Sequence, residues 1–508
     1  MARRRSLLRL GLAAPIALSL TASLGLLPAP ASATPRIPSA AQVEDPNSLA
    51  YVINTETDPH TIAAVQRAVT AAGGTVVVTY DRIGVIVAHS AAPGFGERLR
   101  AVRGVRSAGA TRTAPLSAAG TTGDGAVRYL SEAGAARIEQ ASGAGTEPLE
   151  ADQWDLRTIG ADKAAEVNAG SRDVTVAVID TGVDDTHPDL AANFSPAQSA
   201  SCVSGKADTG YGSWRPASPD HFHGTHVAGT IAAARNGVGV AGVAPGVRVS
   251  GITVSQPTPR QLIYAESVVC AFVFAADHGV QITNNSYYVD PWQYNCLDDP
   301  DQKAVVDAVD RAQLYAQRQG TLNVAGAGNS NHDLDSAAVT DRRSPNDSTP
   351  TNRTIDPHTC RQLPAQLPGV VTVSATSAKN TKSYYSSYGL GVIDVAAPGG
   401  DMYQAADTPS KEGGILSTLP NNQYGYQQGT SMATPHVSGV AALLKSAHPR
   451  ATPAQLRAML KAQADNPGCP ATPYDGNGDG VVDATCAGGE RVNGFYGFGI
   501  VNALRAVE

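Results

Sequence analysis

The sequence predicts an α/β protein with two folded units, a large three-layer α/β/α unit on a mainly parallel sheet and a small α/β unit before it. The large unit is indicated by residues 151 to 508, where apolar runs such as VTVAVID and GVVTVSAT alternate with helical patterns such as QLIYAESVVCAFVFAADHG. Apolar strands separated by helices imply a parallel sheet that is covered on both faces. With 508 residues, 42% of them hydrophobic, the chain can bury two cores.

The small unit is predicted over residues 48 to 115. Its elements are the strand LAYVINT, a helix in DPHTIAAVQRAVTAAG that Asp58 caps, the strands TVVVTY and IGVIVAH, and a helix in GFGERLRAV. The order β-α-β-β-α-β is the split βαβ pattern. Residues 116 to 150 are rich in Ala, Gly, Ser and Thr and have little periodicity, so we expect a linker there.

Export is predicted by residues 1 to 33, which have a basic start, an apolar stretch and a terminal Ala-Ser-Ala, as in a secretory signal cleaved after about Ala33. A membrane anchor is the alternative, but Pro15 and Pro28 break the short apolar run. After residue 120 the chain carries 26 basic and 39 acidic residues, a charge of −13. This charge argues against nucleic acid or anionic membrane as a partner, and we expect a soluble monomer outside the cell.

All six cysteines follow the signal, and an even number in an exported chain predicts three disulfides. The sequence leaves the pairing open among 15 arrangements, although Cys469 with Cys486 would close a short local loop. The spacing contains no close Cys pair that would indicate a zinc site.

Ser431 lies in QQGTSMATPHVSG, at the head of an apolar run with helical spacing. Because Pro435 is tolerated best in a first turn, the helix is predicted to begin close to Ser431. The hydroxyl and N–H of Ser431 would then lie at the positive end of a buried helix, where they can face a developing anion. Serine is also a common N-cap, so its assignment depends on the rest of the chain.

Three further residues occupy strand ends or helix starts. VTVAVID ends in Asp180, HFHGTHVAG places His223 at the start of a helix, and VAGAGNSN places Asn329 after a strand whose glycines, including Gly326, let a substrate backbone approach. Each has a structural interpretation as a turn or capping residue. An acid, a histidine and a serine together are the parts of nucleophilic acyl transfer, and Asn329 could donate to the oxyanion. In parallel sheets such groups gather at the carboxyl ends of strands.

The segments VIDTGVDDTHPDL, HGTHVAGTIAA, VAGAGN and GTSMATPHVSG resemble the signature segments of the subtilisin-like serine peptidases, in that family's order Asp, His, Ser. The resemblance covers about residues 151 to 507. It implies a subtilisin-like catalytic domain over 151 to 508 that hydrolyses peptide bonds through an acyl-enzyme. Asp180, His223 and Ser431 would form the triad, and Asn329 with the Ser431 N–H the oxyanion hole.

The N-terminal unit over residues 48 to 115 resembles the family's small ferredoxin-like propeptide. By this resemblance it would assist folding and inhibit the enzyme until it is removed. The region over 116 to 150 would then be a linker that contains the processing site.

Two departures from the family bear on the substrate. Where the family has a Ser-Leu-Gly segment that pairs with substrate backbone, this chain reads NNSYYVDPW, with Ser286, Tyr287 and Tyr288. A tyrosine in place of glycine should narrow the groove. Residues 330 to 362 form a polar insertion in the region that borders the family's primary specificity pocket. Three functions therefore stay open: a broad endopeptidase, a dedicated processing peptidase for one peptide, and a catalytically weak binding protein of this fold.

The resemblance also implies structural calcium, a hard cation that prefers oxygen ligands. Side-chain oxygens would come from Gln153, Asp189 and Asn236, and carbonyl oxygens from Ala234, Val238 and Val240. The loop DGNGDGVVD is a second candidate, with Gly480 at its sharp turn, but it lacks the glutamate that closes an EF-hand. That loop is expected either to bind calcium or to form an unliganded turn, and its acidic and amide residues are Asp475, Asn477, Asp479 and Asp483.

A metallohydrolase is the alternative chemistry. His221, His223 and His226 are close in the sequence and could form a zinc cluster. Inhibition by a serine-directed phosphonate but not by a zinc-selective chelator would separate the two mechanisms.

Overall fold

The computed structural model describes residues 47–115, 127–140, 147–476 and 479–508. The signal predicted over residues 1 to 33 lies outside this part of the chain. Among the described helices, none has both the length and the apolar character that crossing a bilayer requires.

The N-terminal unit is a four-stranded antiparallel sheet with two helices, which confirms the ferredoxin-like prediction. In the sheet, the strands follow the order Thr75–Tyr80, Val85–Ser90, Leu49–Thr55 and Val105–Ala110. Helix α1 begins where predicted, because the Asp58 side chain accepts a hydrogen bond from Thr61 N at 2.9 Å. The elements are β1 (Leu49–Thr55), α1 (Pro59–Ala71), β2 (Thr75–Tyr80), β3 (Val85–Ser90), α2 (Phe95–Arg100) and β4 (Val105–Ala110).

The rest of the described chain contains the following elements. The strands are β5 (Arg128–Tyr129), β6 (Thr175–Asp180), β7 (Ala200–Ser201), β8 (Arg248–Thr253), β9 (Ile282–Asn285), β10 (Asn295–Cys296), β11 (Leu322–Gly326), β12 (Val339–Asp341), β13 (Arg353–Ile355), β14 (Cys360–Arg361), β15 (Val371–Thr376), β16 (Val395–Pro398), β17 (Ile415–Leu419) and β18 (Gln423–Gln427). The helices are α3 (Glu132–Gln140), α4 (Trp154–Thr158), α5 (Ala161–Val167), α6 (Pro188–Ala191), α7 (His223–Ala232), α8 (Ala265–Asp277), α9 (Pro300–Arg318), α10 (Thr430–Ala447) and α11 (Pro453–Ala462).

A seven-stranded sheet in the order β16-β15-β11-β9-β6-β8-β7 forms the centre of the large unit, and each pair in it is parallel. Alternate residues of β6 face opposite layers, because side chains alternate along a strand. Val176 and Val178 join the core with α7 and α10, whereas Ala177 and Ile179 join the core with α8 and α9. The three-layer α/β/α prediction is therefore confirmed.

The N-terminal sheet packs on helices α8 and α9 of the large unit. Asn54 Nδ2 donates to the Ala304 carbonyl at 2.9 Å, and Ser107 Oγ donates to Asp307 Oδ2 at 2.6 Å. A Cβ at Gly109 would lie 2.4 Å from the Asp301 Cα, so only glycine allows this close approach of β4 to α9. The two units thus share a tight interface.

The region predicted as a linker contains packed structure in its described residues 127–140 and 147–150. Strand β5 extends the β17–β18 hairpin as an antiparallel third strand. Leu130, which lies just before α3, and Ile138, which lies in α3, pack against the apolar cluster that includes Leu149 and Tyr424. Arg137 pairs with the buried Asp152. The described residues 127–140 and 147–150 therefore belong physically to the large unit.

All six cysteines are paired, as predicted, in the disulfides Cys202–Cys270, Cys296–Cys360 and Cys469–Cys486. The local loop between Cys469 and Cys486, 17 residues apart, is confirmed. The other two disulfides join cysteines that are 68 and 64 residues apart in the sequence.

Candidate active site

Asp180 and His223 meet at the carboxyl edge of the central sheet. Asp180 is the last residue of β6 and His223 is the first residue of α7, and both are buried. The His223 Nδ1 lies 2.8 Å from Asp180 Oδ1 and 3.0 Å from Oδ2. Asp180 Oδ1 also accepts a hydrogen bond from Thr181 N at 2.7 Å, which orients the carboxylate. The acid is therefore placed to hold the histidine ring.

Ser431 is the second residue of α10 and is 4% exposed. Helix α10 begins at Thr430, so the predicted helix start close to Ser431 is confirmed, although Pro435 lies in the second turn and not in the first. Proline lacks the N–H that would normally bond to the carbonyl four residues earlier, here that of Ser431. Ser286 Oγ donates to the Ser431 carbonyl instead, at 2.9 Å, and Ser431 Oγ donates to the Ser286 carbonyl at 3.2 Å. A side chain after β9 thus replaces the missing helix bond.

Asn329 follows β11 and is fixed by the start of α10. Its Oδ1 accepts hydrogen bonds from Thr430 N at 2.8 Å and from Thr430 Oγ1 at 2.9 Å. A Cβ on Gly429 would lie 3.4 Å from Asn329 Nδ2, so the amide nitrogen is directed toward the residues around Ser431. Gly326 is close to the same helix, because a Cβ there would lie 3.0 Å from Thr430 Oγ1 and from Thr434 Oγ1.

One cleft contains the predicted catalytic and substrate residues. These are Asp180, His223, Ser431, Asn329, Ser286, Tyr287, Tyr288 and Gly326. Its walls also include Arg343 and Gln362 of the polar insertion, and four residues that the sequence did not single out, Gln261, Ile263, Asp290 and Gln293. These residues come from loops whose approach to the cleft depends on tertiary structure.

The two tyrosines of NNSYYVDPW have different partners. Tyr287 donates its hydroxyl to Asn285 Oδ1 at 2.9 Å. The Tyr288 hydroxyl accepts a hydrogen bond from Asn346 Nδ2 at 3.1 Å, and the same amide donates to Asp290 Oδ1 at 2.7 Å. Burial raises the pKa of Asp290 to about 7. Tyr288 therefore connects the cleft wall to the polar insertion.

The three histidines of the zinc alternative face different partners. His226 Nε2 lies 3.0 Å from the Ile415 carbonyl, and burial lowers the pKa of this histidine to about 3. His221 Nδ1 lies 2.9 Å from Ser218 Oγ, whereas His223 faces Asp180. Within the described residues, no three His, Cys, Asp or Glu side chains converge as a metal site would require.

The predicted calcium loop surrounds a buried carboxylate. Asp189 Oδ2 accepts hydrogen bonds from Val240 N and from the Tyr424 hydroxyl, each at 3.0 Å, and burial raises the Asp189 pKa to about 7. The Gln153 amide is bonded at both ends to the Ala241 backbone, at 2.8 and 2.9 Å. Asn236 Oδ1 accepts from Val238 N at 2.9 Å.

Glu147 is a further carboxylate at this loop, and it could not be predicted from the sequence because it lies in the Ala/Gly-rich region. Its two oxygens accept hydrogen bonds from Gly237 N at 3.0 Å and from Val238 N at 2.9 Å. Burial raises the pKa of Glu147, and Glu147 in turn contributes to the raised pKa of Asp189. The loop thus holds two carboxylates close together.

In the second candidate calcium loop, carboxylates accept backbone N–H groups of the same loop. Asp475 Oδ2 accepts from Gly480 N at 2.8 Å, Asp479 Oδ1 from Val481 N at 2.8 Å, and Asp483 Oδ2 from Gly476 N at 2.7 Å. Asn477 lies outside the described residues. The calcium prediction for this loop stays a prediction.

A buried acid–histidine pair beside a serine at a helix start, on the carboxyl edge of a parallel sheet, defines a serine hydrolase of the α/β class. The family model described as the Subtilase family matches residues 171–499. The match covers more than half of the chain, so the chain belongs to the subtilase family of serine endopeptidases.

Two proteins each align with 66% of the chain. The chain is 32% identical over 350 residues to fervidolysin of Fervidobacterium pennivorans, an alignment over 66% of this chain and 42% of fervidolysin. It is 31% identical over 334 residues to subtilisin BL of Lederbergia lenta, over 66% of this chain and 97% of that protein. The chain thus spans less than half of fervidolysin and nearly all of subtilisin BL.

The fold is also that of a solved structure, the epidermin leader peptide processing serine protease of Staphylococcus aureus. The TM-score is 0.63 at 22% sequence identity, covering 91% of this chain and 98% of that one. At this identity the likeness concerns the fold alone.

Proposed function

We propose that this chain is a secreted endopeptidase in which Ser431 attacks the scissile carbonyl and His223 takes its proton. The supporting observation is the double contact of His223 Nδ1 with Asp180, at 2.8 and 3.0 Å, in the cleft that contains Ser431. A proton on Nδ1 held by Asp180 leaves Nε2 as the base, and the carboxylate stabilises the imidazolium that forms.

The reaction proceeds through an acyl-enzyme. Rotation about the Cα–Cβ bond of Ser431 redirects its hydroxyl from the Ser286 carbonyl to His223 as the substrate enters. The oxyanion of the tetrahedral intermediate accepts hydrogen bonds from Asn329 Nδ2 and from the Ser431 N–H at the start of α10. His223 then protonates the leaving amine, and water attacks the acyl-enzyme by the same route.

The test is the variant Ser431→Ala, which should lose all peptide hydrolysis. Ser446→Ala is the matched control, since its hydroxyl lies on the same helix and bonds to the Ala442 carbonyl, far from the cleft. The control should keep full activity. Peptide hydrolysis that persists in Ser431→Ala would refute the mechanism.

Maturation is proposed to cut the chain between residues 115 and 127. On one side, Thr111 N bonds to the Ala50 carbonyl at 2.9 Å within the N-terminal unit. On the other side, Leu130 N bonds to the Tyr424 carbonyl at 3.1 Å in the large unit. The N-terminal unit then acts as a propeptide that inhibits and aids folding. N-terminal sequencing of the secreted protein should give a start in this interval, and Ser431→Ala should keep the N-terminal unit attached.

Dedicated processing of a narrow set of peptides is the second candidate function. The observation in its favour is the bond of the Tyr288 hydroxyl to Asn346, which fixes a large ring at the cleft wall. Tyr288→Gly should admit bulky residues upstream of the scissile bond and change the ratio of kcat/KM between bulky and small substrates by about 10- to 200-fold. Indistinguishable peptide-library profiles for the two enzymes would remove this candidate.

A structural calcium ion is proposed at the loop around Asp189. The carboxylates of Asp189 and Glu147 and the amide oxygen of Asn236 suit a hard divalent cation, whose charge would offset the repulsion between the two acids. The carbonyls of Ala234, Val238 and Val240 would add ligands, as the resemblance to the family implies. The ion would stabilise the fold and take no part in the chemistry.

Thermal unfolding in calcium and in EDTA tests this site. Calcium should raise the midpoint of wild-type enzyme and should do so much less in Glu147→Gln. Glu490→Gln, which changes an exposed glutamate, is the control. Equal calcium effects in all three proteins would contradict the assignment.

A further inference from the structure

The segment that leaves the N-terminal unit inserts an arginine into a pocket of the large unit. Arg112 Nη2 bonds to Glu266 Oε1, and their side chains are only 3% and 2% exposed. The guanidinium carbon lies 4.0 Å from the centre of the Tyr264 ring. A guanidinium stacked on an aromatic face and paired with a buried carboxylate is a specific recognition arrangement.

The next residues of the same segment bind a second carboxylate. Thr113 N donates to Asp347 Oδ2 at 2.8 Å, its hydroxyl donates to Asp347 Oδ1, and Ala114 N lies 3.4 Å from Oδ2. Thr113 Oγ1 is also 2.8 Å from Ser348 Oγ. The segment from 112 to 114 therefore lies across the polar insertion.

This pocket continues into the candidate active-site cleft. Tyr264 follows Ile263, which lines the cleft, and Ile263 is bonded to Asp290, since Asp290 N donates to the Ile263 carbonyl at 2.8 Å. Asn346, the neighbour of Asp347, donates to Tyr288 on the cleft wall. A chain seated on Glu266 and Asp347 is thus directed along the wall that leads toward Ser431.

The pocket loses the cation that is paired with its buried carboxylate, Glu266, once the N-terminal unit has left. Around Tyr264 lie the carboxylates of Glu266, Asp290 and Asp347, with Arg112 as the cation among them. Among the described residues, Arg260 is also nearby, with its Nη1 bonded to the Asn346 carbonyl at 2.8 Å, and Arg343 lines the adjoining cleft. Within the described residues, Glu266 Oε2 is buried and has no hydrogen-bond partner. Removal of Arg112 therefore exposes a carboxylate that a second guanidinium can satisfy.

We propose that the pocket of Tyr264, Glu266 and Asp347 is a substrate subsite for an arginine side chain on the amino side of the scissile bond. The proposal rests on the endopeptidase function above, in which Arg112 precedes a cut between residues 115 and 127. Arg112 is then the fourth or an earlier residue before that bond. The chain's own arginine occupies the subsite before maturation, and an arginine of the substrate occupies it afterwards.

The test uses mature enzyme and a set of peptides that differ at one position. Arginine, citrulline or norleucine is placed in turn at the fourth to eighth residue before the cleaved bond. Citrulline keeps the shape of arginine but not its charge. Arginine at one of these positions should raise kcat/KM over citrulline by roughly 10- to 100-fold, because a charged hydrogen bond is gained. The preference should weaken in high salt.

Two variants identify the carboxylate. In Glu266→Gln the preference for arginine over citrulline should disappear, while cleavage of the citrulline peptide continues. Asp277→Asn is the matched control, because Asp277 is on the same helix and is bonded to Arg82 of the N-terminal unit, but at the helix end remote from Tyr264. This control should keep the preference.

The outcomes distinguish a failure of the arginine subsite from a failure of the endopeptidase function. Equal rates for arginine and citrulline peptides in wild-type enzyme, or a preference that persists in Glu266→Gln, would overturn the subsite and leave the peptidase intact. Failure to cleave any peptide would instead refute the proposed function. Should Glu266→Gln fail to fold, the wild-type comparison of arginine with citrulline still decides.

Discussion

Ser286→Ala should destabilise the protein through the carbonyl of Ser431. Ser286 is 4% exposed, and its hydroxyl supplies the hydrogen bond that Pro435 denies to that carbonyl. A buried carbonyl left without a donor costs about 1–3 kcal/mol. Loss of the bond from Asn284 Nδ2 to Ser286 Oγ, at 2.9 Å, adds to this cost. We expect the midpoint of thermal unfolding to fall by roughly a few degrees, which is the shift that such a loss in the free energy of unfolding produces in a large domain.

A double-mutant cycle isolates the contribution to stability of the hydrogen bond from Ser286 to the Ser431 carbonyl. Pro435→Ala restores the N–H that can bond to the Ser431 carbonyl, so Ser286→Ala should cost about 1 kcal/mol less in that background. The measurements belong in a Ser431→Ala chain, which has the same backbone carbonyl and does not digest itself. Ser446→Ala is the control and should cost the same in both backgrounds. An identical cost of Ser286→Ala with and without Pro435 would refute the reasoning.

Three further predictions concern chemistry and pH. Asp180→Asn should lower kcat by roughly 10⁴-fold with little change in KM, because the His223 tautomer is no longer held; an unchanged kcat in steady-state assays would contradict this. Asn329→Ala should lower kcat by roughly 10²- to 10³-fold, which is the loss seen when an oxyanion-hole donor is removed from subtilisin. A change confined to KM would exclude the oxyanion role. The folded-state pKa of Asp290 is raised from 3.8 to about 7, so its contribution to stability is full below pH 3.8 and is lost as the pH rises through 7. Asp290→Asn should therefore gain stability relative to wild type as the pH rises across that interval. The same difference in the free energy of unfolding between variant and wild type at pH 4 and at pH 8, measured by chemical denaturation, would disprove this.

The central fold and the catalytic candidates could be predicted because their signals are local. The strand VTVAVID ends at Asp180, and a strand end in a parallel sheet fixes where its side chain emerges. His223, Asn329 and Ser431 likewise follow from a helix start or a strand end. Each needs only a short stretch of sequence to place it.

The position of Pro435 could not be predicted in the same way. Its compensation comes from Ser286, which is 145 residues away in the chain and adjacent only after the sheet has formed. Glu147 was missed for a similar reason, since nothing in its Ala/Gly-rich surroundings indicates that it reaches the loop at Gly237. Pairings of cysteines far apart, such as Cys202 with Cys270, depend on the same long-range geometry.

Under the proposed maturation, the interface between the N-terminal sheet and helices α8 and α9 makes release of the N-terminal unit depend on concentration. While the chain is continuous, the N-terminal unit meets its binding face at an effective concentration set by the connecting segment, of millimolar order for a short linker. A cut between residues 115 and 127 removes that connection and leaves only the contacts of the interface, such as those of Asn54 and Ser107. Release then becomes an ordinary bimolecular dissociation, so a dilute enzyme loses its N-terminal unit while a concentrated one retains it.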